Sequence, residues 1–256
     1  MGAKVKKNKK RSNLFLNLLL FICLAIFIYS SYELYSIYRE YQQMDESYES
    51  LLEDTVVMPE VQEEQLVLPE VDLMALKKIN PEIIAYVHIP NTKISYPITQ
   101  AKDNDKYLNT DASLKKSRAG SIFVDAHNKG DFSDRNTVLY GHNMKNGSMF
   151  KDIQNYCRDT SYVSDHPDVY LYTEKGVFRY HIFCVDTIEA TSDAYRINFK
   201  SDDDYARYLQ KRMSASNAII EDLPYNLERI ITLSTCTNAS ETGRYIIQAF
   251  YQETIQ

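Results

Sequence analysis

Three residues in the second half of the chain have the types and spacing to do covalent chemistry. Cys236 closes the apolar run "RIITLSTC" and is flanked by Ser234, Thr235 and Thr237 rather than by apolar side chains. A thiol in that setting is reachable, but it becomes a strong nucleophile only when a nearby base or cation helps its proton to leave. A lone cysteine is more often inert, so a base must be found. Of the five histidines, His88 and His181 alternate with apolar residues inside strand-like runs, and His127 and His166 sit in turns, where an imidazole is more often solvated. His142 differs from all four. In "TVLYGHNMKNGSMF" it lies just past an apolar strand, with Gly141 to free the backbone and a turn at Gly147, an arrangement that can present an imidazole at a barrel edge. Arg244 opens the next run, "RYIIQAFY", after the loop "TNASETG". If the two runs pair antiparallel, Arg244 and Cys236 share one end of the sheet. A guanidinium keeps its charge and cannot act as a base. Its use would be electrostatic, toward a carbonyl oxygen that turns negative when sulfur attacks; a surface ion pair with Glu241 is the commoner use of such an arginine.

The elements that must position these residues are mostly strands. From Val71 onward, short apolar or alternating runs follow one another between turn residues: "IIAYVHI", "KISYPIT", "GSIFVDA", "NTVLYGH", "DVYLYT", "VFRYHIFCVDTIEA", "RIITLSTC" and "RYIIQAFY". Eight such runs predict a barrel or sandwich. Two helical pieces interrupt the pattern: "VDLMALKKIN", and "SDDDYARYLQKRMSAS" over residues 201 to 216. The second opens on Ser and acids and spaces Tyr205, Leu209 and Met213 four apart. The fold class is therefore α+β and mainly β.

With 256 residues and 44% hydrophobic content, the chain is sized for one catalytic domain with appendages. Six cations, Lys4, Lys6, Lys7, Lys9, Lys10 and Arg11, precede any acid. Taking those six charges from the chain total of −6 leaves the body at −12, which argues against nucleic acid as a partner. The basic start leads into "LFLNLLLFICLAIFIYSSYELY", where Leu14 to Tyr29 holds one polar residue, Asn17, and no charge. Tyr29, Tyr32 and Tyr35 could form an interfacial belt, and the cation bias places the N-terminus on the cytoplasmic side of the membrane and the body outside. An uncleaved signal anchor is the main reading and a cleaved secretory peptide the competing one; no A-x-A site follows the run. Either delivers the body outside the cytoplasm. The resulting segments are a basic tail at 1–13, a membrane anchor at 14–35, a helical and acidic linker at 36–70, and the catalytic domain at 71–256. Cys23 falls in the apolar segment, leaving the odd set Cys157, Cys184 and Cys236 outside. The first two read as buried and inert, with a disulfide between them left open.

Taken together, "TLSTC" ending at Cys236, "GRYIIQ" with Arg244, and "NTVLYGHNMKNGSMF" with His142 resemble the class B sortases. "IPNTKISYPITQ", "KYLNTD" and "GSIFVDAHNKGDFSDRN" support the resemblance, which runs from about residue 71 to the C-terminus. It implies an eight-stranded β-barrel with N-terminal helices and a helix between strands six and seven. It also implies a membrane-anchored cysteine transpeptidase of Gram-positive bacteria. Such an enzyme cleaves an LPxTG- or NPxTN-like motif after Thr, near the C-terminus of a secreted protein, and transfers the acyl group to a peptidoglycan amine without a metal or cofactor. By matching position, Cys236 would be the nucleophile, His142 the acid and base, and Arg244 the oxyanion stabiliser. Ser234, Tyr195 and Thr191 match positions that line the motif groove. Thr237 stands where a relative has an acid, and Ser95 and Thr99 replace residues that contact the motif elsewhere, which bears on the motif rather than the reaction.

Three other readings remain to be separated. A pilin-polymerising enzyme of class C would carry an Asp-Pro-aromatic lid and a second membrane segment, and neither is seen, although some class B-like enzymes also polymerise pilins. A papain-type protease would place its cysteine before its histidine. An anchored extracellular binding module would leave Cys236 incidental.

Overall fold

The computed structural model describes residues 4–58, 68–159, 161–217, 228–237 and 239–255, with side chains from residue 13 onward. The chain forms two compact units, 1–46 and 47–256.

In the first unit the backbone is one helix, α1 (Lys4–Glu53), whose last turns belong to the second unit. No Pro or Gly interrupts its 50 residues. Its Asn13–Glu53 part contains a window of mean hydropathy 2.4 with none of it buried, so the helix is long and apolar enough to cross a membrane. In the second unit, the end of α1 is held to the body. Tyr48 donates from its hydroxyl to the Gly120 carbonyl at 2.9 Å, and Ser47 Oγ donates to Asp111 Oδ2 at 3.0 Å.

The stretch read as a solvated linker is more ordered at its ends than its acids and prolines suggested. Val56–Val57 (β1) pairs antiparallel with Glu70–Val71 (β2), and Thr55 is buried, its Oγ1 donating to the Leu51 carbonyl. The intervening residues 59–67 lie outside the described residues. Helix α2 (Leu73–Ile79) follows, capped by Asp72, which accepts from the Ala75 N–H.

All eight expected strands form: β3 (Ile83–His88), β4 (Ser95–Thr99), β5 (Ile122–Val124), β6 (Asn136–Tyr140), β7 (Asp168–Thr173), β8 (Gly176–Glu189), β9 (Ile230–Cys236) and β10 (Gly243–Thr254). They close into a barrel in the order β10-β8-β7-β3-β4-β5-β6-β9. Two pairings, β4 with β5 and β6 with β9, are parallel, and each needs a long crossover. The interior is apolar, with Ile98, Ile122, Leu139, Val169, Leu171, Leu233 and Ile247 among its fully buried side chains.

Helix α5 (Asp202–Ala215) connects the sixth and seventh barrel strands, and Ser201 caps it by accepting from the Asp204 N–H. Its Tyr205, Tyr208 and Leu209 pack against Phe183, Cys184, Ile230 and Phe250. Two further helices, α3 (Ile153–Arg158) and α4 (Ser161–Asp165), were not expected. Six and five residues are too short for a helical period to stand out.

Candidate active site

Cys236 is the last residue of β9, and its exposure follows from where the strand ends. Ser234 and Thr235 before it are buried, while Cys236 itself is exposed. Strand β10 runs antiparallel to β9, and Arg244 stands directly opposite Cys236 in the register, as the sequence predicted. The turn between them is closed by the Thr237 N–H donating to the Gly243 carbonyl at 2.9 Å. Arg244 Nη1 donates to the carbonyls of Glu241 and Gly243 at 3.0 and 2.9 Å. Among the described residues no ion pair forms with the Glu241 carboxylate, so the guanidinium charge is not neutralised there.

His142 lies two residues beyond β6. Its Nε2 is 2.8 Å from the Leu108 carbonyl. A carbonyl oxygen can only accept, so Nε2 carries the hydrogen, and the neutral ring keeps its lone pair on Nδ1. The glycine before it serves a different purpose from the one expected. Gly141 does not adopt the left-handed backbone region. Instead, a Cβ there would lie 2.4 Å from Ile122 Cδ1 and 2.7 Å from the Phe150 ring, so packing rather than backbone freedom demands glycine. Gly147 does occupy the left-handed region, at φ 92°, in the turn predicted for it.

His142, Cys236 and Arg244 line one groove of about 280 Å³. Ser234 and Thr235 line it too, together with Tyr140 and Phe123 from the barrel and Asn104, Asp105 and Leu108 from the β4–β5 connection. Behind Ser234, Tyr195 shares a hydrogen bond between hydroxyls at 2.8 Å. Burial raises the Tyr195 phenol above its usual range, against the bond to Ser234 and the charge of Arg244. The Tyr195 ring packs on Tyr140 at 6.0 Å, and Tyr140 donates to Asp125 Oδ2 at 3.0 Å. Asn104 Nδ2 donates to the same oxygen at 3.0 Å, so Asp125 joins two walls of the groove. Burial opposes ionisation of Asp125, but bonds from the His127 backbone and ring, Tyr140 and Asn104 hold its carboxyl below the usual range.

Of the residues expected to line the groove, Ser234 does so, Tyr195 supports Ser234 from behind, and Thr191 does not. Thr191 is exposed in the loop after β8 and is not part of the groove wall. Ser95 and Thr99 also lie away from it. Ser95 Oγ bonds to Tyr86 and His88, and Thr99 is fully buried with its hydroxyl on the Ile122 carbonyl. The remaining histidines have structural settings. His88 is buried against Ser95 Oγ at 3.0 Å, and its burial pulls the imidazole down to about 4. His181 pairs with Asp168, and His127 with Asp125. His166 is less solvated than its turn position suggested, because its ring packs 4.3 Å from that of Tyr162. Cys157 and Cys184 are both free thiols, pushed up by burial to about 12 and about 11.

Sequence reasoning missed Asn104, Leu108, Phe123, Tyr140 and Asn143. The acid ending the run "IFVDA" was a signal for Asp125, but nothing in the residue type of Leu108 announces a role played by its backbone carbonyl. Among the described residues no cluster of three His, Cys, Asp or Glu side chains is placed to hold a metal.

The sortase domain family model matches residues 87–251, which spans the whole groove and most of the barrel. The sortase B of Listeria monocytogenes is 41% identical over 69% of this chain and 72% of its own length. This chain belongs to the class B sortases. The sortase B of Staphylococcus aureus is 30% identical over 93% of this chain and 96% of its own length. The solved sortase B from B. anthracis superposes with a TM-score of 0.71 at 31% identity, covering 84% of this chain and 99% of that one. The chain is accordingly a sortase, a cysteine transpeptidase built on the eight-stranded barrel described above.

Proposed function

We propose that this sortase is anchored in the cell membrane by residues 14–35, with residues 1–13 in the cytoplasm and the catalytic domain, 71–256, outside. Its substrates are secreted proteins that carry an LPxTG- or NPxTN-like motif near the C-terminus. Cys236 passes its thiol proton to His142 Nδ1, Sγ attacks the carbonyl carbon of the motif's Thr, and the oxygen takes negative charge. Arg244, opposite Cys236 in the register, offers its guanidinium to that oxygen. The tetrahedral species collapses with cleavage of the C–N bond, His142 protonates the departing amine, and a thioester remains on Cys236. A peptidoglycan amine then attacks the thioester, gives its proton to His142 and leaves with the acyl chain. The sulfur departs as thiolate and takes back the proton held by His142, so atoms and charge balance over the cycle.

Ser234 contributes to the wall of the motif groove, and Tyr195 orients the Ser234 hydroxyl from behind through their 2.8 Å bond. The observation that carries the reading is that an exposed thiol, an imidazole with a free Nδ1 and an arginine not ion-paired with Glu241 line the same groove. The test uses the full-length chain in detergent with a fluorogenic motif-peptide library and candidate amines, read by mass spectrometry. Cleavage after Thr with amine-joined product is expected, and cleavage elsewhere or by a Cys236→Ala variant contradicts it.

A further inference from the structure

Strands β6 and β9 run parallel, and their Cα pairing ends with Tyr140 opposite Ser234. One more backbone bond follows, from the Gly141 N–H to the Ser234 carbonyl at 3.1 Å. Parallel ladders repeat their bonds evenly, every second residue. The next rung would run from the Asn143 N–H to the Cys236 carbonyl. By that point the chain is turning: Asn143 bridges Met149 across the Gly147 turn, and the Phe150 N–H donates to the His142 carbonyl at 3.0 Å.

The side chain of Asn143 makes a bond to the same carbonyl. Its Nδ2 donates to the Cys236 oxygen at 2.8 Å. The opposite amide orientation would set two oxygens against each other, so the partner assigns the flip. Asn143 Oδ1 is buried without a hydrogen-bond partner, which leaves the donating half as the part engaged at this site. His142 is thus bracketed along the chain by two bonds to the cysteine strand, and its ring is held separately by the Leu108 carbonyl.

We propose that Asn143 is a positioning residue for the His142 and Cys236 pair, its amide standing in for the backbone rung that the turn removes. The inference rests on the transpeptidase reading, because it matters only if those two side chains exchange protons with the same substrate. It acts through Cys236 and not on substrate, so it should alter the rate of the bound complex more than binding itself.

Two variants of the full-length chain in detergent test this. Asn143→Asp keeps the shape but puts an oxygen where the donor was; Asn143→Ala removes the group. Steady-state turnover of a fluorogenic motif peptide is measured per natively folded molecule, with the folded fraction taken from near-UV dichroism. Both variants should lose kcat by on the order of 10- to 100-fold, as expected for misplaced reacting groups. KM should stay within about twofold, since uniform binding is untouched. The aspartate variant should be at least as impaired as the alanine one, whereas a space-filling role would spare it. Wild-type kcat in Asn143→Asp, or a loss confined to KM, overturns the proposal. Cys236→Ala run alongside separates the two failures: if it is inactive while Asn143→Asp is fully active, only the positioning role falls, and if it turns over, the transpeptidase reading falls with it.

Discussion

Two cysteines near strand β10 each have an arginine close by, and they differ in almost everything else. Cys184 on β8 is fully buried, donates its Sγ–H to the Arg212 carbonyl at 3.2 Å, and has Arg212 Nη2 at 3.8 Å. That guanidinium is already engaged: its Nε donates to Gln248 and its Nη2 to Asp186, both at 2.9 Å. Burial outweighs the neighbouring charge and pushes the Cys184 thiol up to about 11. Cys236 is exposed at its strand end, with an arginine that among the described residues bonds to backbone carbonyls alone and a histidine on the same groove. A neighbouring arginine therefore does not make a cysteine reactive. What sets Cys236 apart is access, an imidazole on the same groove and a guanidinium held only by backbone carbonyls.

The largest expected effect comes from exchanging the two thiols in turn. Cys236→Ala should lose on the order of 10⁴-fold or more in kcat, as removal of a covalent nucleophile does. Cys184→Ala should keep near-wild-type turnover per folded molecule and lose stability instead, measured by urea denaturation. Equal damage from both would break the contrast.

The arginines sharpen it next. Arg244→Ala should cost about 10²- to 10³-fold in kcat/KM, the range for loss of one oxyanion donor. Arg244→Lys, which keeps the charge but loses the planar fork, should recover only part of that. Arg212→Ala should leave the groove chemistry intact but destabilise the fold by about 3 kcal/mol, because Asp186 would stay near the interior without its partner. A catalytic defect for Arg212→Ala beyond its unfolded fraction would contradict the division.

How much of this was legible in the sequence follows the same lines. Most of the strands could be read as short apolar runs between turn residues, because they are buried on both faces, and α5 because its buried Tyr205 and Leu209 stand four apart. The opposition of Cys236 and Arg244 followed from a short loop between adjacent runs. The parallel pairing of β6 with β9, which brings His142 to Cys236, left no local trace, since their partners are separated by α3, α4, β7, β8 and α5. Thr191, expected in the groove by resemblance, stands in an exposed loop and is not among the residues that line the cavity at Cys236, since position by resemblance does not fix the course of a loop. The tie from Asn143 to the Cys236 carbonyl is invisible for the opposite reason, as it depends on where the backbone stops pairing.

Smaller effects separate reactive from structural groups by pH. At neutral pH iodoacetamide should modify Cys236 in the folded body, whereas Cys184 and Cys157, with thiols pushed up to about 11 and about 12, should react only on unfolding. Peptide mapping after alkylation checks this. His88 supplies a stability effect. Its folded value, about 4, lies below the unfolded value near 6.5, so the folded state resists protonation. The contribution is complete above about pH 6.5 and is lost as pH falls toward 4, amounting to at most about 3 kcal/mol. Urea midpoints of wild type and His88→Gln should therefore converge on acidification, and a constant gap from pH 7 to 4.5 would exclude it.

The central claim is that Cys236 carries the acyl group. Full-length enzyme mixed with a motif peptide and quenched in acid within one turnover should show, by intact-mass spectrometry, an adduct equal to the peptide fragment ending in Thr. Fragmentation should place it on Cys236, and hydroxylamine should release it. An adduct on another residue, or turnover with no hydroxylamine-labile species when the acceptor amine is withheld, would contradict the account.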